Sequence, residues 1–236
     1  SVRRDYHSWV SHHLGRQMEF LWFGDRGYPV LLFPTSMGRF WQNEDFGLTG
    51  ALAEKVDAGH LQLVCVDSVD TESWYNKNAP PAYRARRHDD YDRYLRHELV
   101  PYVQHRSGRG EMGVCGASFG AYHAANFAGR YPGLVTKAVL FSGVYHVGQF
   151  LDGYWDDLCY FHCPEAYVAN ADEGLAQRLR LVDWVVATGE YDSLVGENRH
   201  FAGLLQGKGI PVHAEFWPGV FGHDWPFWRD AVRRLL

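Results

Sequence analysis

The chain of 236 residues has no stretch approaching the about 18 continuous apolar residues that a membrane span needs. Ser1-Val2-Arg3-Arg4-Asp5 has no apolar region of the kind a signal peptide carries, so a cytoplasmic home is the default expectation. A secreted chain whose signal has been removed is compatible with the same residues. Cationic excess is also missing. Lys and Arg number 23 against 28 Asp and Glu, a net charge of −5, which leaves no basic field to draw the protein to nucleic acid or an anionic membrane. The one dense basic run, Arg84, Arg86 and Arg87, sits beside Asp89, Asp90 and Asp92 at helical spacing and reads as a solvated, salt-bridged helix face. Cysteine is scarce, at four. Cys65 and Cys115 end apolar runs and read as small buried side chains. Cys159 and Cys163 flank His162, but no second ligand pair of matching spacing exists to complete a structural zinc site, so no metal is expected. No linker-like shift in composition, internal repeat or low-complexity tract divides the chain, and its length fits one α/β domain. Nothing in the sequence excludes a homo-oligomer.

Aromatic residues are abundant: 9 Trp, 14 Tyr and 14 Phe make 16% of the chain, more than a core alone ordinarily uses, and some are expected to line a pocket. Residues 6 to 23 alternate about a turn at Leu14-Gly15-Arg16, the pattern of a β-hairpin. Beyond Tyr28 the pattern changes to short unbroken apolar runs: Val30 to Phe33, Leu61 to Val66, Met112 to Cys115, Val135 to Phe141, Val182 to Ala187 and Val212 to Phe216. Runs without alternation suit strands covered on both faces. Helical stretches are expected at Asp45 to Asp57, Tyr83 to His105, Ser118 to Arg130, Leu194 to Lys208 and Asp224 to Leu236. Strands alternating with helices predict a mostly parallel, doubly wound sheet preceded by the antiparallel hairpin. Only residues 144 to 180 lack a strand signal. This aromatic-rich interval reads as a lid-like insertion within the single domain of residues 1 to 236.

Gly116-Ala117-Ser118-Phe119-Gly120 is a G-x-S-x-G pentapeptide between a predicted strand and a predicted helix. With 25 glycines in the chain the string alone is weak, but its setting is the one the chemistry requires. A sharp strand-to-helix turn holds a strained serine, and glycines two residues to either side avoid collision. A serine hydroxyl needs a base, and the base needs an orienting acid. Thr188-Gly189-Glu190-Tyr191-Asp192 follows a later strand and offers Asp192, with Glu190 as a rival. Gly222-His223-Asp224 precedes the last helix and offers His223, in preference to His123 on the nucleophile helix and His146. The chain order Ser118, Asp192, His223 is that of α/β-hydrolases. An oxyanion would be met by the Phe119 N–H and by a donor from Pro34-Thr35-Ser36-Met37-Gly38, where Pro34 has no N–H, Ser36 is the first choice and Met37 the second. Trp74, Tyr75, Tyr145 and Trp155 are candidate substrate-contacting rings.

On Gly116 to Gly120, the helix-ending Glu98-Leu99-Val100-Pro101, Gly189 to Asp192 and Gly222 to Trp225, the chain resembles, over nearly its whole length, the esterase family of α/β-hydrolases. That family includes S-formylglutathione hydrolases (esterase D), feruloyl esterases and mycolyltransferases. The resemblance implies a nucleophile at Ser118, an acid at Asp192, a base at His223, a small-molecule ester substrate, and no metal or organic cofactor. Two departures stand out. Many relatives have Met after the nucleophile and a further Gly two residues on, where this chain has Phe119 and Ala121; many have His-Gly in the oxyanion loop, where it has Pro34-Thr35. The expected activity is a serine carboxylesterase. The alternatives are an acyltransferase using the same acyl-enzyme and a non-catalytic binding module on the same scaffold.

Overall fold

A computed structural model describes residues 2–236. Eight strands form one sheet: β1 (Arg4–Ser11), β2 (Arg16–Phe23), β3 (Tyr28–Phe33), β4 (Leu61–Val66), β5 (Met112–Ala117), β6 (Val135–Phe141), β7 (Asp183–Gly189) and β8 (Val212–Trp217). Their order is β1-β2-β4-β3-β5-β6-β7-β8. The β1–β2 hairpin is antiparallel and joins β4 through antiparallel β2; all other neighbours are parallel. This is the α/β-hydrolase arrangement, and the hairpin and mostly parallel sheet agree with the alternation and the unbroken runs in the sequence.

The unbroken runs have a direct cause in packing. Successive residues of a strand point to opposite faces, and here both faces are apolar. Leu31, Val64, Val114, Leu140 and Val186 feed one core, while Leu32, Cys65, Cys115, Val139 and Ala187 feed the other. The first core is closed by α4 (Pro81–Tyr94), α5 (Val100–Ser107), α6 (Phe119–Arg130) and α10 (Val195–Gly207). The second is closed by α2 (Leu48–Ala51), α3 (Ala53–Asp57) and α11 (Trp225–Leu235). Instead of one helix over residues 45 to 57 there are three short ones, α1 (Gln42–Asp45), α2 and α3, interrupted at Gly47, whose φ of 81° is left-handed. The predicted helix over 83 to 105 is continuous in direction but passes through a π-turn at Leu95–Leu99 between α4 and α5. Glu98-Leu99-Val100-Pro101 thus does not end the helix: Pro101 lacks the N–H that would satisfy a carbonyl one turn back, and the wider turn absorbs the loss.

The basic run keeps only part of the expected solvated, salt-bridged face, Arg87 pairing with Asp90 at 3.3 Å. Arg86 is exposed, but Arg84 is buried, donating to the carbonyl oxygens of Asn76 (2.7 Å), Ala79 (3.0 Å) and Phe150 (2.7 Å). Arg87 donates to Leu14 O and to Glu72. Main-chain carbonyls from distant loops, invisible to helical spacing, turn Arg84 and Arg87 into tethers. Between β6 and β7 there is no strand. The interval contains α7 (Asp157–Phe161), α8 (Pro164–Ala169) and α9 (Glu173–Leu179). All four cysteines are free and buried. Among the described residues no helix is long and apolar enough to cross a membrane.

Candidate active site

The neighbours β3 and β5 send their onward connections to opposite sides, β3 to β4 on one flank and β5 to β6 on the other. At such a switch point the loops beyond the strands' carboxyl ends diverge and leave a crevice. The turn after β5 opens there. Ser118 has φ 58° and ψ −123°, a conformation that side chains rarely adopt, and ends the strand while its carbonyl accepts from Ala121 N in the first turn of α6. The flanking glycines are required by contact. A Cβ on Gly116 would lie 2.2 Å from Gly120 O, and one on Gly120 would lie 2.6 Å from Pro34 O. The second contact also presses the start of α6 against the loop after β3. Ala121, where many relatives have Gly, is accommodated by Gly143, whose own Cβ would come within 2.7 Å of the Ala121 methyl.

Ser118 Oγ lies 3.2 Å from His223 Nε2, and His223 Nδ1 lies 3.0 Å from Asp192 Oδ2. The three residues come from the ends of β5 and β7 and from the loop after β8, in the order read from the sequence. Asp192 is buried, and its other oxygen accepts from Leu194 N at 2.8 Å, so both carboxylate oxygens are committed and the side chain is fixed. Glu190 turns away to accept from Gly219 N. The histidine loop is set by backbone contact: Cβ atoms on Gly189 and Gly222 would each lie 2.5 to 2.6 Å from the other residue's backbone. Ser142 adds a second anchor, donating to Gly222 O at 2.7 Å while accepting from Trp228 Nε1 at 3.0 Å. Ser142 and Trp228 escaped the sequence reading, since neither sits in a motif.

In the loop after β3, Thr35 N–H donates to Gln42 Oε1, Gly38 N–H to Thr35 O, and Met37 N–H to Asp70 Oδ2 at 3.0 Å. Among the described residues Ser36 N–H and Phe119 N–H have no protein acceptor. Met37, the second choice for an oxyanion donor, is therefore engaged elsewhere. Of the four rings, Tyr75 stands edge-on to Phe119 at 5.3 Å, and Trp155 is exposed and stacked on His146 at 5.6 Å. Burial, then the Asp70 charge, pushes the Tyr75 hydroxyl up, against the effect of a hydrogen bond with the Ser36 side chain. Trp74 and Tyr145 are enclosed: Trp74 packs against His88, and Tyr145 stacks on Phe201 at 4.1 Å with its hydroxyl donated to Asn198. Both fill core rather than face an opening. A polar cavity of about 380 Å³ opens among Val144, His146, Gln149, Glu165, Leu194 and Glu197, beside the segments that follow Gly143 and Asp192.

The sequence model of a family described as "Putative esterase" matches residues 11–234. In fold the chain is similar to a ferulic acid esterase (TM-score 0.80, 20% identity, covering 100% of this chain and 97% of that one). It is also similar to S-formylglutathione hydrolase (FrmB) from Staphylococcus aureus (TM-score 0.71, 16% identity, 99% and 97%) and to Mycobacterium tuberculosis MPT51 (FbpC1) (TM-score 0.73, 17% identity, 98% and 96%). No curated protein matches it in sequence. With a family match that spans nearly every element from the hairpin to α11, the chain belongs to the esterase family of α/β-hydrolases and is a hydrolase acting on ester bonds.

Proposed function

We propose that the protein is a serine carboxylesterase working through an acyl-enzyme on Ser118. The observation that carries this reading is the continuous contact Ser118 Oγ to His223 Nε2 to Asp192 Oδ2, at 3.2 and 3.0 Å. His223 Nε2 takes the Ser118 proton as Oγ attacks the ester carbonyl, and Asp192 holds the Nδ1–H tautomer and stabilises the imidazolium. The oxyanion forms between the N–H groups of Phe119 and Ser36. Collapse expels the alcohol, which receives the proton from His223. Water, deprotonated in turn by His223, then releases the acid and restores Ser118. Residues 144 to 180 act as a lid over this crevice, with Tyr75 and Trp155 as the rings available to a substrate. The polar cavity bounded by Glu165 and Glu197 suits an alcohol portion bearing hydroxyls or a positive charge.

The test is hydrolysis of short p-nitrophenyl esters by the wild type and by Ser118→Ala. The variant is expected to lose turnover and labelling by a fluorophosphonate probe while keeping its melting temperature; undiminished turnover refutes the assignment. Product analysis with added alcohols separates hydrolysis from acyl transfer.

A further inference from the structure

A second buried His–carboxylate contact lies below the crevice, and the mechanism above does not use it. Asp70, in the loop after β4, places Oδ1 2.8 Å from His123 Nε2 and accepts the Met37 N–H on Oδ2 at 3.0 Å. The side chains of His123 and Asp70 are only 2% and 1% exposed. His123 lies on α6 about one turn beyond Phe119, its ring stacked on Phe33 at 5.7 Å and edge-on to Phe119 at 5.0 Å. Met37 has a φ of 57°, a left-handed conformation unfavourable for a residue with a side chain, which persists only when its surroundings impose it.

Asp70 thus joins two elements that meet nowhere else through charged side chains: the helix whose first N–H belongs to Phe119, and the loop that presents Ser36. We infer that Asp70 and His123 form a positioning pair that fixes the oxyanion donor at Ser36, by occupying the Met37 N–H and holding that residue left-handed. The inference rests on the esterase reading above. Without the pair, the loop is free to relax, Met37 N–H competes for the oxyanion, and the Ser36 N–H loses its fixed direction. An oxyanion donor contributes only where charge develops, so its misplacement lowers kcat more than substrate affinity.

The experiment compares wild type, His123→Ala, Asp70→Ala and His123→Gln, whose amide nitrogen can still donate to Asp70. Each alanine variant is expected to lose about 30-fold or more in kcat with KM within about twofold, below the full loss of a deleted donor. Each should lose the same factor in affinity for a trifluoromethyl ketone, which forms a tetrahedral oxyanion on Ser118, and none for the product carboxylate. His123→Gln should recover to within about fivefold of wild type. Turnover of His123→Ala within about threefold of wild type overturns the inference, as does a loss confined to KM with ketone affinity unmoved. If the alanine variants fail to fold, amide exchange in the wild type decides: Met37 should be protected in the free protein and Ser36 only in the ketone adduct, and a Met37 amide exchanging as fast as that of Ser36 overturns the inference. A wild type with neither turnover nor ketone binding refutes the esterase reading instead, while Met37 exchange still reports on the tether.

Discussion

Adding one methyl group at Gly189 should disable the enzyme without touching any residue that meets substrate. The Cβ of Gly189→Ala would stand 2.6 Å from Gly222 Cα and 2.6 Å from Val220 O. Carbon atoms in contact sit about 3.5 Å apart or more, so the two loops must separate by about 0.9 Å. Backbone faces backbone here, and no flexible side chain can yield. The displaced residue, Gly222, is the immediate neighbour of His223, while Gly189 is three residues before Asp192. The contacts of 3.2 and 3.0 Å along Ser118, His223 and Asp192 would both open. A misplacement of about 1 Å costs on the order of 10²-fold in rate, or about 2.7 kcal/mol of transition-state stabilisation. Overpacking at the contact adds about 1–3 kcal/mol of destabilisation. Steady-state kinetics on p-nitrophenyl acetate, with melting temperature measured alongside, read the two effects separately. Gly203→Ala is the control: it lies in α10 with nothing within 4 Å of the new Cβ, and should be as active as wild type and more stable by about 0.5–1 kcal/mol. Turnover by a folded Gly189→Ala within about threefold of wild type would refute the claim that this contact sets the histidine's position.

Asp192→Asn should cost about 10⁴-fold in kcat, because an amide NH₂ facing Nδ1 forces the proton onto Nε2, where it cannot accept from Ser118; a kinetic titration that finds less than about a tenfold loss would point to another acid. Glu215 accepts from Arg234, His213 and Trp217, and these bonds, the Arg234 one foremost, hold its carboxyl down at about 2, against an ordinary value of 4.5. A carboxyl lowered in the folded state stabilises above its unfolded value and loses that contribution as pH falls toward its folded value. The wild type should therefore exceed Glu215→Gln in melting temperature at neutral pH, by a margin that shrinks between 4.5 and about 2. A margin independent of pH would mean that charge is not the cause.

The alternation of strands and helices was legible because burial on both sheet faces leaves an unmistakable mark, runs such as Leu61 to Val66 with no polar interruption. The meeting of Ser118, Asp192 and His223 was legible for a related reason: each sits in its own loop, beside glycines whose need is local. What spans two loops was not. Neither Gly189 nor Gly222 announces that it touches the other, and Asp70 and His123 are 53 residues apart, in segments whose meeting depends on how β4 and α6 are laid against the sheet. Rings defeat a local reading for a simpler reason. Trp74 and Tyr75 are neighbours with equivalent sequence surroundings, yet one is sealed against His88 and the other half-buried against Phe119 at the turn after β5. Arg84 reads as a surface cation because its partners are three main-chain carbonyls, which carry no sequence signature, and Asp152, which lies 68 residues away.

The backbone at Ser118 has an evolutionary consequence. A non-glycine residue held at φ 58° and ψ −123° gives up about 1–3 kcal/mol, a sizeable share of the about 5–15 kcal/mol by which domains outlast their unfolded chains. Glycine would occupy the same turn with no such strain. Any lineage relieved of the need to turn over esters would gain stability through a codon change at this position, and would find few easier gains. On the proposed mechanism the serine is thus a residue that folding alone would discard, kept against a standing gradient for as long as the chemistry is in use.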